Sequence, residues 1–285
     1  MKRILIPTDF SDNARNAIDY ALELFKSEEC KFFFLHTYTI PYLGIDYLTV
    51  AGNDFKKIEA DIKKEADSNL AKLIDELLRD YSNPKHTYKT ISAFNILTDE
   101  INDIVEDEDI DLIIMGTKGA TGAKSILFGT NTVFVMRKAS CPVLAIPENF
   151  RFREIMEILF ASDYLVFYKR REIKMLLHLA TANNAQITVM HMEEENKLSV
   201  NQIKNKEFID ECCEGVNHNF IKLKDKNLSL AIDHYLENHP TDMLAMMNRK
   251  HSLLERLLLR QNIEKIGFKI KIPFLVMKDT GRLRG

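Results

Sequence analysis

The sequence predicts an α/β fold built twice over in one chain. Two observations carry that expectation: apolar runs of strand length alternate with amphipathic helical stretches, and four anchor segments recur in the same order in both halves. At 285 residues the chain is also longer than one ordinary domain.

The anchors fix the repeat. Ile4-Leu5-Ile6-Pro7-Thr8-Asp9 has a partner in Ile158-Leu159-Phe160-Ala161-Ser162-Asp163, each an apolar run ending in a small hydroxyl residue and an aspartate. Phe33-Phe34-Leu35-His36 matches Thr188-Val189-Met190-His191. Asp111-Leu112-Ile113-Ile114-Met115 matches Asp242-Met243-Leu244-Ala245-Met246, and Cys141-Pro142-Val143-Leu144-Ala145-Ile146 matches Ile272-Pro273-Phe274-Leu275-Val276-Met277. The copies stand 154 residues apart at Asp9/Asp163 but 131 apart at Asp111/Asp242 and Pro142/Pro273. The second copy is thus about 23 residues shorter, a loss expected mostly between its second strand and the next helix. Domains of 1–148 and 149–285 follow. The charged joint Pro147–Glu154 has no flexible Gly/Ser run, so the two are expected to pack together.

Taken in order, Ile4–Pro7 reads as a buried strand. Ser11 can cap a helix whose apolar face holds Ala14, Ile18, Ala21, Leu22 and Phe25. Lys31–Thr37 is a second strand. Ile58, Ile62, Ala66, Leu70, Leu73 and Leu77 recur at helical spacing and predict one long amphipathic helix. Thr87–Ser92 reads as strand, Leu97–Val105 as helix, Asp111–Met115 as strand, Thr130–Arg137 as helix and Val143–Ile146 as the last strand. Such alternation implies a parallel sheet covered on both faces.

Composition removes several functions. A net charge of −3 gives no general attraction to nucleic acid or anionic membrane. The start reaches Pro7 and Asp9 too soon for a secretory signal, and no apolar run approaches a bilayer span. Cys30, Cys141, Cys212 and Cys213 make neither a disulfide framework nor a zinc pattern, so they read as reduced thiols of a cytoplasmic protein.

Of the chain's 10 glycines, four fall between Gly116 and Gly129. That segment starts where a buried strand ends and finishes where a helix begins, the edge at which α/β sheets bind ligands. Glycines allow phosphate oxygens near the main chain, and the free N–H groups of a helix start point at the same place. Thr130 and Thr132 add hydroxyls, and Lys118 and Lys124 add charge, which suits a polyphosphate. There is no Walker loop, and no glycine follows the first strand as a dinucleotide fingerprint requires. The pattern is instead Gly116-x2-Gly119-x9-Gly129-Thr130. A glycine-rich turn that merely joins strand to helix is the plainer alternative.

That spacing, with Pro7-Thr8-Asp9 after strand one and Cys141-Pro142-Val143-Leu144-Ala145-Ile146 at the end, resembles the ATP-binding branch of the universal stress protein family. The resemblance implies a Rossmann-like, doubly wound, mostly parallel five-stranded sheet in each half, with adenine nucleotide over its carboxyl edge. It implies Thr8 and Asp9, following Pro7, beside adenine or ribose, and Thr37 lining the base pocket. Met115, Gly116, Lys118 and Gly119 would flank ribose and phosphates, and Gly129, Thr130, Asn131 and Thr132 would hold the phosphate chain. ATP, with Mg2+ where hydrolysis is considered, is the implied cofactor. Members pair through their last strands, so Val143–Ile146 and Phe274–Met277 are expected to meet inside one chain as a pseudo-dimer, leaving a homodimer and an unidentified protein partner open.

The second copy departs from this pattern. At the offset of 131, Gly116 becomes Met247, Gly119 becomes Lys250, Gly129 becomes Arg260 and Thr130 becomes Gln261. Side chains then fill the phosphate space, so one live site per chain is expected. Arg249, Lys250, Arg256 and Arg260 make this loop basic, to be read as an anion or partner site or, more plainly, as solvated surface. His36 and His191 occupy matching strand ends with no partner ligands, so structural or pocket-lining roles are expected. Asp9 lacks the acidic pair and lysine of a phospho-receiver. The acidic runs Glu106–Asp109 and Glu193–Glu195 read as solvated turns, and Met243, Met246 and Met247 as packing. No catalytic constellation and no metal ligand set stands out, which points to a nucleotide-dependent regulator. A slow ATPase and a nucleotide-free interaction scaffold are the alternatives.

Overall fold

A computed structural model describes residues 1–39, 52–118, 128–165, 167–192, 198–223, 228–249, 253–254 and 271–279. The first half runs β1 (Lys2–Pro7), α1 (Asp12–Leu24), β2 (Cys30–Tyr38), α2 (Gly52–Asp80), β3 (His86–Phe94), α3 (Leu97–Asp107), β4 (Leu112–Gly116), α4 (Thr130–Lys138) and β5 (Val143–Ile146). The second runs β6 (Glu157–Ala161), α5 (Lys174–Asn183), β7 (Gln186–Met192), α6 (Val200–Cys212), β8 (His218–Leu223), α7 (Leu228–Asn238), β9 (Met243–Asn248) and β10 (Phe274–Lys278). The expected elements are all present, most with ends moved by a residue or two, while α2 begins six residues before Ile58 and ends three after Leu77.

All ten strands form one sheet in the order β3-β2-β1-β4-β5-β10-β9-β6-β7-β8. Within each half the pairs are parallel, and the order is doubly wound: the chain moves outward from β1 to β3, then restarts on the other side of β1 with β4. That restart makes a crevice between β1 and β4, and its counterpart lies between β6 and β9.

The halves join through β5 and β10, which pair antiparallel with Leu144 opposite Leu275. Those two leucines are the same position of the two copies at the offset of 131, so the pseudo-twofold axis passes through their pair. The flanking pairs, Val143 with Val276 and Ala145 with Phe274, exchange under the same operation. The intrachain pseudo-dimer inferred from the last strands is therefore the observed architecture.

Strand register also locates the missing residues, and it corrects their expected place. Ile4 pairs with Phe32 and Ile158 with Ile187, while Phe32 pairs with Tyr88 and Ile187 with His218. The shortening thus falls between the second and third strands of the copy. Most of it is helix and not connection: α2 has 29 residues and α6 has 13.

Alternation along the strands divides the core into two layers. Ile4, Ile6, Phe32, Phe34, Leu112 and Ile114 face α1 and α2, and Ile158, Phe160, Ile187, Val189 and Met243 continue that layer under α5 and α6. Leu5, Phe33, Leu35, Ile113 and Met115 face α3 and α4, and Leu159, Leu244, Met246 and Phe274 continue under α7. Every strand in the middle of this sheet is sandwiched, which is why β1, β4 and β5 read as unbroken apolar runs.

All four cysteines are buried and unpaired. Burial pushes the Cys30, Cys141 and Cys213 thiols up to about 12, and raises that of Cys212. Thiolate is the reactive form. Native protein at neutral pH is therefore expected to react with a disulfide reagent only at the rate of unfolding, releasing all four thiols in denaturant; a fast native thiol would contradict the packing.

Candidate functional site

The turn after β1 is built by side chains that answer each other's backbone. Thr8 N–H donates to the Leu35 carbonyl at 2.8 Å, and Thr8 Oγ1 accepts from Phe10 N–H at 3.0 Å. Asp9 Oδ1 accepts from Ser11 N–H at 3.1 Å and Ser11 Oγ at 2.6 Å, while Ser11 Oγ caps α1 by accepting from Ala14 N–H. Phe10 holds a positive φ of 61°, unusual for a bulky residue, and its ring lies 4.6 Å from that of His36. His36 Nδ1–H donates to the Thr8 carbonyl at 2.8 Å, which gives this histidine a structural role.

Across the crevice, β4 ends at Gly116. A Cβ there would lie 3.0 Å from the Asn13 carbonyl oxygen, so the glycine lets the start of α1 close onto the strand end. Thr132 is buried, and its hydroxyl donates to the Gly116 carbonyl at 2.9 Å. Thr117 N–H donates to Ile146 O, and Gly129 N–H returns to Thr117 O at 2.7 Å, so the loop leaves and re-enters at one point.

Gly129 is the N-cap of α4, with no side-chain cap and no acidic residue in the first turn. Thr130 and Asn131 are exposed there. The first-turn N–H groups have no intrahelical acceptors and the helix dipole adds partial positive charge. Lys118 reaches Glu148, with Nζ 3.5 Å from Oε2. Gly119 and Lys124 lie outside the described residues.

Because β1 pairs directly with β4, the Thr8–Asp9 turn and the Gly116–Lys118 segment share one crevice. Pro7 is buried opposite Leu35, Met115 is buried opposite Ala145, and half-buried Thr37 sits on β2, one strand beyond β1, opposite Ala93. Of the residues named from sequence, Asp9, Thr130 and Asn131 are exposed, Gly129 and Lys118 partly so, and Thr132 is spent on the strand-end carbonyl.

The second half repeats the β1 turn in detail. Ser162 Oγ accepts from Tyr164 N–H at 3.1 Å, Asp163 Oδ1 accepts from Leu165 N–H at 3.1 Å, and His191 Nδ1–H donates to Ser162 O at 3.0 Å. Tyr164 has φ 53° and stacks on His191 at 4.5 Å. The Lys118–Glu148 pair also recurs, as Arg249–Asp279 at 3.4 Å with the same offset of 131. Sequence inspection missed both features, although a shared aromatic after the aspartate and a shared acid after the last strand were there to be seen.

What differs is the link to the next helix. Four residues separate β1 from α1, but residues 162–173 separate β6 from α5. This longer segment buries Tyr164 and Tyr168, and Tyr168 Oη bonds Ser162 Oγ at 2.7 Å. It also delivers Glu172, fully buried, whose Oε2 lies 2.8 Å from Arg249 Nη2. Arg249 is thus no solvated loop residue, as its basic neighbourhood suggested: its side chain is 14% exposed, and it also donates to the Phe167 carbonyl. Lys250, Arg256 and Arg260 lie outside the described residues.

Fold and crevice together define a tandem doubly wound α/β protein with a strand-order crevice in each half. The universal stress protein family matches residues 1–147, and the chain belongs to that family. A universal stress protein of Methanocaldococcus jannaschii is 30% identical over 158 residues, covering 51% of this chain and 94% of its own. The solved universal stress protein of Archaeoglobus fulgidus is similar over nearly the whole length, covering 97% of this chain and 96% of its own at 17% identity and a TM-score of 0.63, which places the tandem fold. Another member, from Arabidopsis thaliana, has been solved with AMP bound; it is 15% identical over 52% of this chain and 93% of its own, with a TM-score of 0.35.

Proposed function

We propose that the chain is a nucleotide-dependent regulatory module that binds one ATP, in its first half, at the crevice between β1 and β4. The observation that carries this reading is the uncapped start of α4. Gly129 opens it, Thr130 and Asn131 are exposed on it, and Lys118 stands at the neighbouring strand end. Anions favour such a helix start, and a doubly wound sheet binds ligands at this point in its topology. The base and ribose would lie toward the Thr8–Asp9 turn and Thr37.

The reading takes 1–148 as the binding domain and 149–285 as its partner without a nucleotide. It takes the protein as cytoplasmic, with four buried unpaired thiols in support. Among the described residues no helix is long and apolar enough to cross a membrane, and no group of three or more His, Cys, Asp or Glu could hold a metal ion. Mg2+ would arrive on the phosphates, keeping most of its ligands as water and phosphate oxygen. Asp9, in the turn after β1, accepts from Ser11 Oγ and N–H, which suits a turn residue more than a base.

The test is calorimetric titration of Mg·ATP into wild type and Gly129→Arg, which carries the second half's own residue. One site per chain that disappears in the variant is the expected result. Folded wild type that takes no nucleotide would overturn the reading and leave an interaction scaffold. Steady phosphate release, lost in Asp9→Ala, would replace the module with a slow ATPase.

A further inference from the structure

We propose that the crevice between β6 and β9 is an anion-binding site whose ligand is the chain's own Glu172. The two halves share a strand-end cation facing an acid after the last strand: Lys118 with Glu148, and Arg249 with Asp279. Among the described residues, only the second half brings another carboxylate to that cation. Glu172 Oε2 sits 2.8 Å from Arg249 Nη2, with Glu172 entirely shielded from solvent.

The segment that delivers it is the extra length between β6 and α5, and it is fastened at several points. Lys169 N–H donates to Glu172 Oε2 at 3.0 Å, Lys169 Nζ lies 3.9 Å from Oε1, and Tyr168 bonds Ser162, the counterpart of Thr8. Arg249 lies 6.0 Å over the Tyr168 ring, a further preference for cation at that spot. A planar guanidinium suits a carboxylate or phosphate fork better than lysine does, so the exchange of Lys118 for Arg249 matches a fixed anion in place of a diffusing one. The second half has not simply lost a ligand; it has enclosed one. The ligand class that would replace Glu172 is a small oxyanion, carboxylate or phosphate. This holds whether or not ATP binds the first half.

Full-length Glu172→Ala, and beside it Glu172→Ser, test the idea with inorganic phosphate and acetate as probes. Each variant is expected to melt roughly 5–10 °C below wild type, because it leaves a largely buried guanidinium without the nearer of the two carboxylates that face it. Phosphate or acetate should then raise the variant's Tm saturably, beyond the general stabilisation the same salt gives wild type and beyond matched chloride. The extra gain should vanish when Arg249→Met is added. If neither variant gains more from the oxyanions than wild type does, or if the gain survives loss of Arg249, the proposal is overturned. ATP titration of the same variants keeps one site if only the first half binds nucleotide, so the two readings fail separately.

Discussion

Gly116→Met is expected to destabilise the protein by about 2–3 kcal/mol, although it installs the residue that the second half carries at the same position. The added Cβ would lie 3.0 Å from Asn13 O and 3.3 Å from both Asn13 C and Lys118 O. These neighbours are backbone, Asn13 in the first turn of α1 and Lys118 just after β4, and cannot swing aside as a side chain would. Relief requires α1 to move off β4, yet α1 is fixed by the Ser11 cap and by Ala17, Ile18, Ala21 and Leu22 in the core. Met247 escapes the conflict because twelve residues, 162–173, separate β6 from α5 where four separate β1 from α1, so no helix starts directly behind the strand. Urea denaturation compares the variant with wild type. An unchanged midpoint would mean that the close approach of α1 to β4 does not constrain position 116.

This contrast shows why the glycine motif could be read only partly from sequence. The family resemblance puts Gly116 beside ribose and phosphates, but the backbone it makes room for includes the chain's own Asn13. Thr132 likewise turned out to bond the Gly116 carbonyl. Both residues shape the crevice and neither needs a ligand to explain it. Gly129, Thr130 and Asn131 are the positions where the sequence reading and the exposed helix start coincide.

The fold itself was far more legible. Sandwiched strands must be apolar throughout, so β1, β2, β4 and β5 announce themselves, and the repeated anchors carry the second half with them. The constant offset of 131 makes Leu144 and Leu275 equivalent positions, and the strand register sets that pair on the pseudo-axis. What sequence could not supply was long-range pairing of polar residues. Nothing local links Glu172 to Arg249, 77 residues later, because their meeting depends on how far the segment after β6 reaches over the sheet edge. A basic loop therefore read as surface. The shortening of the second copy was misplaced for a related reason: a helix can lose whole turns from its free end without disturbing either strand it connects.

Phe274→Ala is expected to cost about 3–5 kcal/mol of stability and, if α4 holds phosphate, to weaken ATP binding roughly tenfold from a residue in the other half. Phe274 is fully buried on β10, opposite Ala145, and stacks on Phe128 with centroids 5.8 Å apart. Phe128 immediately precedes Gly129, so the second half supports the entry to the proposed phosphate helix from below. It holds the exit as well: Asn248, at the end of β9, donates to the carbonyls of Met136 at 2.8 Å and Arg137 at 3.0 Å in the last turn of α4. One helix is thus braced at both ends by the domain that lacks its own glycine loop. Removing the Phe274 ring leaves Phe128 facing a void, and the start of α4 can then settle away from the geometry that aims its N–H groups at the crevice. Denaturation and calorimetry on the same variant separate the two effects. Lost stability with unchanged ATP affinity would mean that the halves are only welded together, and weakened binding in a protein still fully folded at the assay temperature would mean that the second half sets the shape of the first half's site.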